Sequence, residues 1–317
     1  MTLLLSDPRF LLHDTGRHVE TPARLVAITD RLEQSGLAAR CTTHTWEPIA
    51  DEEILAVHEP GVLALLKAIT AQGGGWADGD TALSEKSLAV AKLAAGAATA
   101  AVDAVLAGKA NNSLCLIRPP GHHATPDRSM GFCLINNIAL AAHHAISKHQ
   151  LNRILIVDFD VHHGNGTQDI FYADPRVQFL SIHRYGHGFY PGTGAADETG
   201  TGKGLGHTCN VPLPATTPRP EYFNAFSRAL ELCASRSRPE LVLISAGFDA
   251  HRLDPIGRLG LEVEDFAELT RRTLAVANVH CQGRVVSCLE GGYNIQVLAE
   301  CVQAHLEVLL GPLAAQA

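Results

Sequence analysis

Residues 153–168, RILIVDFDVHHGNGTQ, decide the fold of this chain. The aliphatic run at residues 154–157 is typical of a strand buried on both faces, and it changes within two residues into acids, histidines and glycines. Side chains alternate between the two faces of a strand, so Asp158 and Asp160 are predicted to share one side, together with His162 if the extended path continues. Two carboxylates so close together are costly unless a cation lies between them. The stretch therefore predicts a buried strand that ends in a metal site.

Short apolar strands alternate with helical segments along the rest of the chain. Further strands are predicted at residues 3–5, 114–117, 177–183, 241–245 and 285–288. Helices are predicted to begin at Thr21-Pro22 and to cover residues 54–70, 85–108, 135–149, 222–233 and 263–277, with a flexible glycine-rich loop at residues 72–81. This alternation predicts an α/β fold, a three-layer α/β/α arrangement with a mostly parallel central sheet. No repeat or linker divides the sequence, so we predict one catalytic domain over residues 1–317.

Composition excludes several classes of function. The formal charge is -8 over 317 residues and no basic run is present, which argues against a general affinity for nucleic acid or for an anionic membrane. No uncharged apolar run of about 18 residues is present to span a bilayer, and the apolar start is too short for a secretory signal. We expect a cytoplasmic protein without nucleic-acid or membrane partners, for which an oligomer remains possible. The eight cysteines lack a CxxC pair and are predicted to be buried free thiols.

Polar residues follow several of the predicted strands directly. His122 and His123 come after the strand at residues 114–117, Asp249 follows the strand at 241–245, and Tyr293 lies in a glycine turn after the last strand. In a parallel sheet, ligands bind beyond the carboxyl ends of the strands. These residues are therefore predicted to meet at the same edge as Asp160 and His162.

A catalytic zinc ion would suit three of these side chains. Zinc accepts imidazole nitrogen and carboxylate oxygen, and a catalytic site uses three protein ligands and leaves a position open. Asp160, His162 and Asp249 supply that set. Water bound to such an ion becomes a nucleophile near neutral pH.

The tandem histidines can divide the roles of acid and base. A carboxylate behind one ring raises its basicity, whereas a neutral partner leaves the other ring nearer its ordinary pKa. Asp158 is placed by strand alternation to be that carboxylate, and Asn165 is the candidate neutral partner of the His122-His123 pair. Tyr293 can donate to a developing oxyanion. Together these groups predict hydrolysis of an amide or related C–N bond.

Other conspicuous polar residues have a plainer interpretation. Arg24 lies in the first turn of a predicted helix, an unfavourable place for a cation, and we interpret it as a solvated surface arginine with a functional role as the alternative. His143 and His144 have no acidic or cysteine neighbours nearby in the sequence and are predicted to be surface or packing histidines.

Six segments of the chain resemble the signature segments of the histone deacetylase family, within the arginase/deacetylase superfamily. These are RPPGHHA, GFCLINN, DFDVHHGNGTQ, GFYPGTG, SAGFDAHRLDP and LEGGYN, which match in register across nearly the whole chain. Asn165 and GFDAHRLDP are similar to the class II branch, to which the bacterial histone deacetylase-like amidohydrolases and acetylpolyamine deacetylases are related.

The resemblance implies roles for individual residues. It implies that Asp160, His162 and Asp249 bind one catalytic zinc ion. Whether the ion used in the cell is zinc or iron is left open. His122 and His123 would be the acid/base pair and Tyr293 would polarise the acyl carbonyl. Asp158 would also help to hold a potassium ion with Ser181. Phe132 and Tyr190 would line a narrow tunnel that takes an acyl-lysine side chain. Gly131 and Ile256 are further candidate substrate contacts, and Asp78 or Asp80 in the glycine-rich loop is the candidate rim contact to the substrate backbone.

Rival functions are separated by single positions. An acyl-lysine protein or a small N-acyl amine is the expected substrate, with acetylpolyamines as the alternative, and Ile256 stands where an acid would favour a polyamine. A binuclear manganese enzyme would need further carboxylates where Gly164 and His251 stand. A non-catalytic acyl-lysine binder would not need His122, His123 or Tyr293.

Overall fold

A seven-stranded sheet forms the centre of the computed structural model, which describes residues 1–186 and 188–312. In chain order the strands are β1 (Thr2–Leu5), β2 (Gly74–Trp76), β3 (Ala82–Ser84), β4 (Asn112–Cys115), β5 (Ile154–Asp158), β6 (Val177–Arg184), β7 (Thr208–Leu213), β8 (Leu241–Ala246) and β9 (Val285–Leu289). The sheet order is β1-β4-β9-β8-β5-β6-β7, and every neighbouring pair in it is parallel. Strands β2 and β3 form a separate antiparallel hairpin.

Helices cover both faces of this sheet. They are α1 (Ala23–Gln34), α2 (Asp51–Ile54), α3 (Pro60–Ala71), α4 (Ser87–Leu106), α5 (Asn137–Ser147), α6 (Asn165–Phe171), α7 (Arg219–Ser237), α8 (Val263–Cys281) and α9 (Ile295–Leu310), with short 3-10 turns at Pro8–Leu12, Ala38–Arg40 and Gly202–Gly204. Helices α4, α5 and α6 pack together in one layer, whereas α1, α9, α8 and α7 pack in sequence in the other. The predicted three-layer α/β/α fold is therefore confirmed.

The apolar character of the central strands explains why they lie between two helical layers. All residues of β5 and β8 are buried, as expected for parallel strands covered on both faces. The alanine-rich α4 packs closely against β4, β9 and α5, because small side chains let helices approach a sheet. By length and hydropathy α4 would be long enough to cross a bilayer, but 72% of that window is buried inside the protein. It is a core helix of this fold.

Two predicted segments differ from the observed ones. The helix predicted at residues 54–70 is broken into α2 and α3, because Pro60 cannot occupy a helix interior and instead begins α3. The loop predicted at residues 72–81 contains β2, whose residues pair with β3. The eight cysteines are free, as predicted, and six of them are buried.

The prediction of one domain over residues 1–317 includes positions 187 and 313–317, which lie outside the described residues. Within the described residues the hydrophobic core is continuous across the central sheet and both helical layers. A smaller cluster lies under α3 and the β2–β3 hairpin. The single domain itself stays a prediction.

Candidate active site

Four adjacent strands deliver the predicted site residues to one edge of the sheet. The strands are β4, β9, β8 and β5, which are neighbours in that order. The loops that follow them carry, respectively, the pair His122 and His123, then Tyr293, then Asp249, then Asp160 and His162. Parallel strands place all these loops on the same side, so residues that are far apart in the sequence meet.

Asp160, His162 and Asp249 form a buried cluster of ligand atoms. His162 Nδ1 lies 3.0 Å from Asp160 Oδ1 and 3.0 Å from Asp249 Oδ2. The candidate ligand atoms of the three residues all lie within 4.8 Å of one another. Two carboxylates and one imidazole are a donor set that divalent metal ions, including zinc, accept.

The chemistry of this cluster fits a metal ion. Asp249 Oδ2 is buried and makes no hydrogen bond of good geometry, although His162 Nδ1 is close. Burial and the charge of Asp160 raise the pKa of Asp249 to about 7. A Cβ atom at Gly291 would collide with oxygens of both carboxylates, so only glycine allows the β9 loop to pass so near. A divalent cation would satisfy the unpaired oxygen and offset the repulsion.

The tandem histidines have different partners. His122 Nδ1 lies 2.9 Å from Asp158 Oδ2, and His123 Nδ1 lies 2.7 Å from Asn165 Oδ1. Burial lowers the pKa of His122, but Asp158 and Asp160 outweigh it and raise that pKa well above its ordinary value. Burial and the neighbouring His122 and His162 hold the pKa of His123 well below its ordinary value. The two rings are therefore pushed towards opposite protonation states.

The hydrogen bond to Asn165 decides the tautomer of His123. An amide oxygen only accepts hydrogen bonds, so Nδ1 of a neutral His123 carries the proton and Nε2 carries the lone pair. His123 lines the cavity described below, whereas His122 does not. His123 is therefore the ring of the pair that can reach a bound molecule.

A narrow cavity of about 130 Å³ is lined by His162, one of the three clustered residues. Phe132 and Tyr293 cross at right angles with ring centroids 5.7 Å apart, and His123 and Tyr190 do the same at 5.0 Å. The residues that line the cavity are Asp80, His123, Gly131, Phe132, His162, Tyr190, Ile256 and Tyr293. Its aromatic walls suit a slender aliphatic chain better than a bulky group.

The predicted substrate-contact residues lie at this cavity with one exception. Phe132, Tyr190, Gly131 and Ile256 all line it. Asp78 does not, because its Oδ1 accepts hydrogen bonds from the backbone N–H groups of Asp80 (3.1 Å) and Thr81 (2.8 Å) inside a turn. Of the two rim acids, Asp80 is the one that the structure brings to the cavity.

Asp158 and Ser181, the predicted potassium ligands, are register partners on β5 and β6, and both are fully buried. Ser181 Oγ lies 2.9 Å from His183 Nδ1, and Asp158 Oδ1 accepts a hydrogen bond of 3.1 Å from the backbone N–H of Asp160. Their binding of potassium stays a prediction.

The expectation of a solvated Arg24 is wrong. Arg24 is fully buried, and its guanidinium donates to the carbonyl oxygens of Gly292 (2.7 Å) and Glu290 (2.5 Å) and to Glu20 Oε1 (3.0 Å). The guanidinium carbon also lies 5.2 Å from the centre of the Tyr293 ring. Arg24 therefore holds the loop that presents Tyr293, and its unfavourable place in the helix was the signal for this role.

Two further acids support the site and have no assigned role in the sequence analysis. Glu290 Oε2 accepts hydrogen bonds from the backbone N–H groups of Gly121 (2.7 Å) and His122 (3.2 Å). Burial raises the pKa of Glu290 to about 7. Asp254 Oδ2 accepts a hydrogen bond of 2.8 Å from the backbone N–H of Tyr293. The signal for Glu290 was an acid directly after a strand, as for Asp249.

Similarities to known proteins identify the family of this chain. The chain matches the histone deacetylase domain over residues 18–309. It is 40% identical over 294 residues to the histone deacetylase-like amidohydrolase of Pseudomonas aeruginosa, covering 93% of this chain and 77% of that protein. It is 42% identical over 316 residues to the polyamine deacetylase HDAC10 of Homo sapiens, covering 96% of this chain but only 46% of that longer protein.

A solved structure gives the same result for the fold. The crystal structure of the HDA15 HD domain superposes with a TM-score of 0.90 at 37% sequence identity, over 98% of this chain and 88% of that one. Matches to both sequence and structure thus extend over nearly the whole chain. The chain belongs to the histone deacetylase family of deacetylases and amidohydrolases.

Proposed function

We propose that this protein is a zinc-dependent deacetylase that hydrolyses the amide of acetyl-lysine or of a related N-acyl amine. The observation that carries the proposal is the buried cluster of Asp160, His162 and Asp249, whose His162 lines the same cavity as His123 and Tyr293. Amide hydrolysis requires a ligand set for one ion with a neutral histidine and a phenol beside it.

Asp160, His162 and Asp249 would hold the zinc ion. Bound there, zinc supplies Lewis-acid polarisation of the amide carbonyl and acidifies water. All three side chains are buried, so a water molecule and the amide would reach an ion there through the cavity that His162 lines. Asp158 and Ser181 would hold potassium behind His122, which would moderate the negative charge of the carboxylates.

His123 acts as the general base in this proposal. Its Nε2 lone pair faces the cavity because Nδ1 is engaged by Asn165. The lowered pKa of His123 keeps the ring neutral, so it can accept the proton of the attacking water at neutral pH. The same proton then goes to the leaving amine when the C–N bond breaks, and the products are a carboxylate and a free amine.

His122 and Tyr293 stabilise the charge that develops on the substrate. The raised pKa of His122 keeps that ring protonated beside Asp158, which places a positive charge next to the reacting centre. Tyr293 keeps its proton because burial and the carboxylates of Asp249 and Asp160 raise its pKa, so its hydroxyl donates to the carbonyl oxygen.

An N-acetylpolyamine is the second candidate substrate. Asp80 lines the cavity, and its carboxylate would attract a distant ammonium group, which a polyamine carries. The similarity to a protein named polyamine deacetylase points the same way. Ile256 at the same cavity favours an uncharged contact and therefore acyl-lysine.

A binuclear manganese site has little support. Among the described residues, the buried cluster of possible ligands contains Asp160, His162 and Asp249 alone. His251, at the position where a second ion would need a carboxylate, instead accepts a hydrogen bond of 3.1 Å from the backbone N–H of Leu253. A non-catalytic binder would leave the opposed protonation states of His122 and His123 without a purpose.

Two substitutions test the proposed roles. We expect Tyr293→Phe to lower kcat/KM on a fluorogenic acetyl-lysine substrate by about 10²–10³-fold, the usual effect of removing one oxyanion donor. We expect His123→Ala to lower it by about 10²–10⁴-fold. Zinc content should stay at the wild-type level in both variants, because neither residue is a ligand. Tyr185→Phe, which alters an exposed tyrosine outside the cavity, is the matched control. Unchanged turnover in either variant would refute its role.

The substrate class needs a separate assay. Enzyme loaded with zinc, iron or manganese should be compared on acetyl-lysine peptides, longer acyl-lysines and N-acetylpolyamines. The proposal requires turnover of an acetyl amide with one zinc ion at this site. Activity that depends on two manganese ions per chain would overturn it.

A further inference from the structure

A second cluster of metal-ligand side chains lies where α4 and α5 meet at the protein surface. It comprises Asp103 on α4, His144 on α5 and His149 just beyond the end of α5, and we call it the outer cluster. His144 Nε2 lies 2.8 Å from Asp103 Oδ1, and His149 Nε2 lies 2.6 Å from the same oxygen. No local sequence pattern indicates this association, because Asp103 is about forty positions before His144.

The donor atoms of the outer cluster are those of a transition-metal site. Two imidazole nitrogens converge on one carboxylate oxygen, and the three atoms lie within 4.8 Å of one another. Ligands at the usual zinc distance of about 2 Å lie roughly 3–3.5 Å apart, so small side-chain rotations would close the set on an ion. Without an ion each Nε2 donates its proton to the carboxylate, and the other tautomer, with the proton on Nδ1, would leave both Nε2 atoms free to coordinate.

The surroundings leave room for an ion to enter. The side chains are 37% (Asp103), 15% (His144) and 26% (His149) exposed, so the outer cluster is anchored in the helices and open to water on one side. Water could supply the remaining ligand of a tetrahedral site.

Lys148 competes for the same carboxylate. Its Nζ lies 2.7 Å from Asp103 Oδ2, the oxygen that the two histidines do not approach. Although partial burial raises the pKa of Asp103, hydrogen bonds from Lys148, His149 and His144 outweigh it and lower that pKa below its ordinary value. The carboxylate is thus ionised over the whole physiological range and has one oxygen directed at the two imidazoles.

We propose that Asp103, His144 and His149 form a second metal site, which takes a divalent transition ion such as zinc. An ion there would link α4 to the far end of α5 and fasten two helices of the same layer. Helix α5 starts beside the active-site loops, where Asn137 Nδ2 donates to the carbonyl of Pro119, and the outer cluster lies at its other end. His144 is seven positions beyond Asn137 on α5, a rise of roughly 10 Å, and His149 lies past the end of the helix. The ion would therefore be structural and not catalytic.

The number of zinc ions bound per chain of the intact protein tests the proposal. Each protein is dialysed against buffered zinc over the nanomolar-to-micromolar range, and bound zinc is measured by mass spectrometry. We expect wild type to bind two ions per chain and His149→Ala to bind one, with unchanged deacetylation of the fluorogenic substrate. His143→Ala is the matched control, because His143 is adjacent to His144 on α5 but does not belong to the outer cluster, and it should still bind two.

The test of the outer cluster does not depend on zinc binding at the active site. Asp249→Asn should lose the ion at the active site and keep the ion at the outer cluster, so it should bind one zinc ion per chain. A further His149→Ala substitution should remove that ion. If the inner site bound no zinc, wild type would bind one and His149→Ala none, which would still support the outer site. Equal zinc binding by wild type and His149→Ala at every free-zinc concentration would overturn the proposal.

Discussion

The site at the sheet edge and the outer cluster use the same residue types in opposite environments. At the sheet edge Asp160, Asp249 and His162 are almost completely buried, whereas Asp103 in the outer cluster is 37% exposed. A buried charge must be compensated by specific partners, since water cannot reach it. An exposed charge is already solvated, and its partners add little. Substitutions should therefore have large effects at the first site and small ones at the second.

The largest effect is expected from Asp249→Asn. This change removes one of two buried carboxylate ligands, and we expect zinc at the inner site to fall to background. Deacetylation should fall by at least about 10³-fold, since a catalytic metal contributes several kcal/mol to the transition state. Zinc analysis and kcat/KM measure the two losses. A variant that retains both zinc and activity would contradict the assignment of Asp249.

The same substitution should stabilise the metal-free protein. Burial and Asp160 raise the pKa of Asp249 from 3.8 to about 7, so ionised Asp249 destabilises the folded metal-free state progressively as pH rises through that interval. About three units at 1.36 kcal/mol each correspond to an upper limit of about 4 kcal/mol at pH 8. Urea unfolding of both proteins after metal removal measures the difference. A less stable variant at pH 8 would show that the carboxylates do not repel each other.

The sheet edge was predictable because its geometry follows from local rules. Asp160 and His162 lie just beyond β5 and Asp249 just beyond β8, so the parallel order of these neighbouring strands brings the three to one edge. The role of Arg24 was not predictable, because the carbonyl groups that it binds belong to residues more than 260 positions away in the sequence. The outer cluster was missed for the same reason, since α4 and α5 meet through packing that no local pattern records. The proposed catalytic roles stay predictions.

Arg24→Met should be the most destabilising change beneath the site. This change removes the hydrogen-bond donor of the Gly292 and Glu290 carbonyl groups. It also removes one of the cations beside Glu20, and all these groups are inside the protein. Breaking a buried ion pair from one side costs about 3–5 kcal/mol. Denaturant unfolding of holoenzyme should show this loss, and Arg31→Met, on the exposed side of the same helix, should lose less than about 1 kcal/mol. Equal losses would mean that burial does not distinguish the two arginines.

Acid should remove part of the stability that Glu20 provides. Burial would raise the pKa of Glu20, but its partners Arg118 and Arg24 outweigh it and lower that pKa from 4.5 to about 2. A lowered carboxyl pKa contributes stability that is fully present above pH 4.5 and is lost as pH falls towards 2. Between pH 5 and pH 3 the contribution should therefore fall by about 2 kcal/mol, which is 1.5 units at 1.36 kcal/mol each.

The difference in unfolding free energy between wild type and Glu20→Gln isolates this contribution from other acid effects. That difference should shrink as the pH is lowered from 5 to 3 in urea titrations of metal-free protein. Glu33→Gln, at an exposed position on α1, should give a small difference that hardly changes with pH. A Glu20→Gln difference that is constant over this range would show that the buried arginines do not hold Glu20 ionised.

The smallest effect is expected from Asp103→Asn in the absence of metal. Its ion pairs with Lys148, His144 and His149 are partly exposed, so the cost in unfolding free energy should be less than about 1 kcal/mol. Added zinc should then raise the unfolding temperature of Asp249→Asn but not that of the double variant that also carries Asp103→Asn, since an ion bound only to the folded state stabilises it. Calorimetry with and without zinc measures both quantities. A large loss of unfolding free energy without metal would mean that the ion pairs of the outer cluster stabilise the fold without an ion. An identical shift of unfolding temperature by zinc in both proteins would mean that the outer cluster is not a metal site.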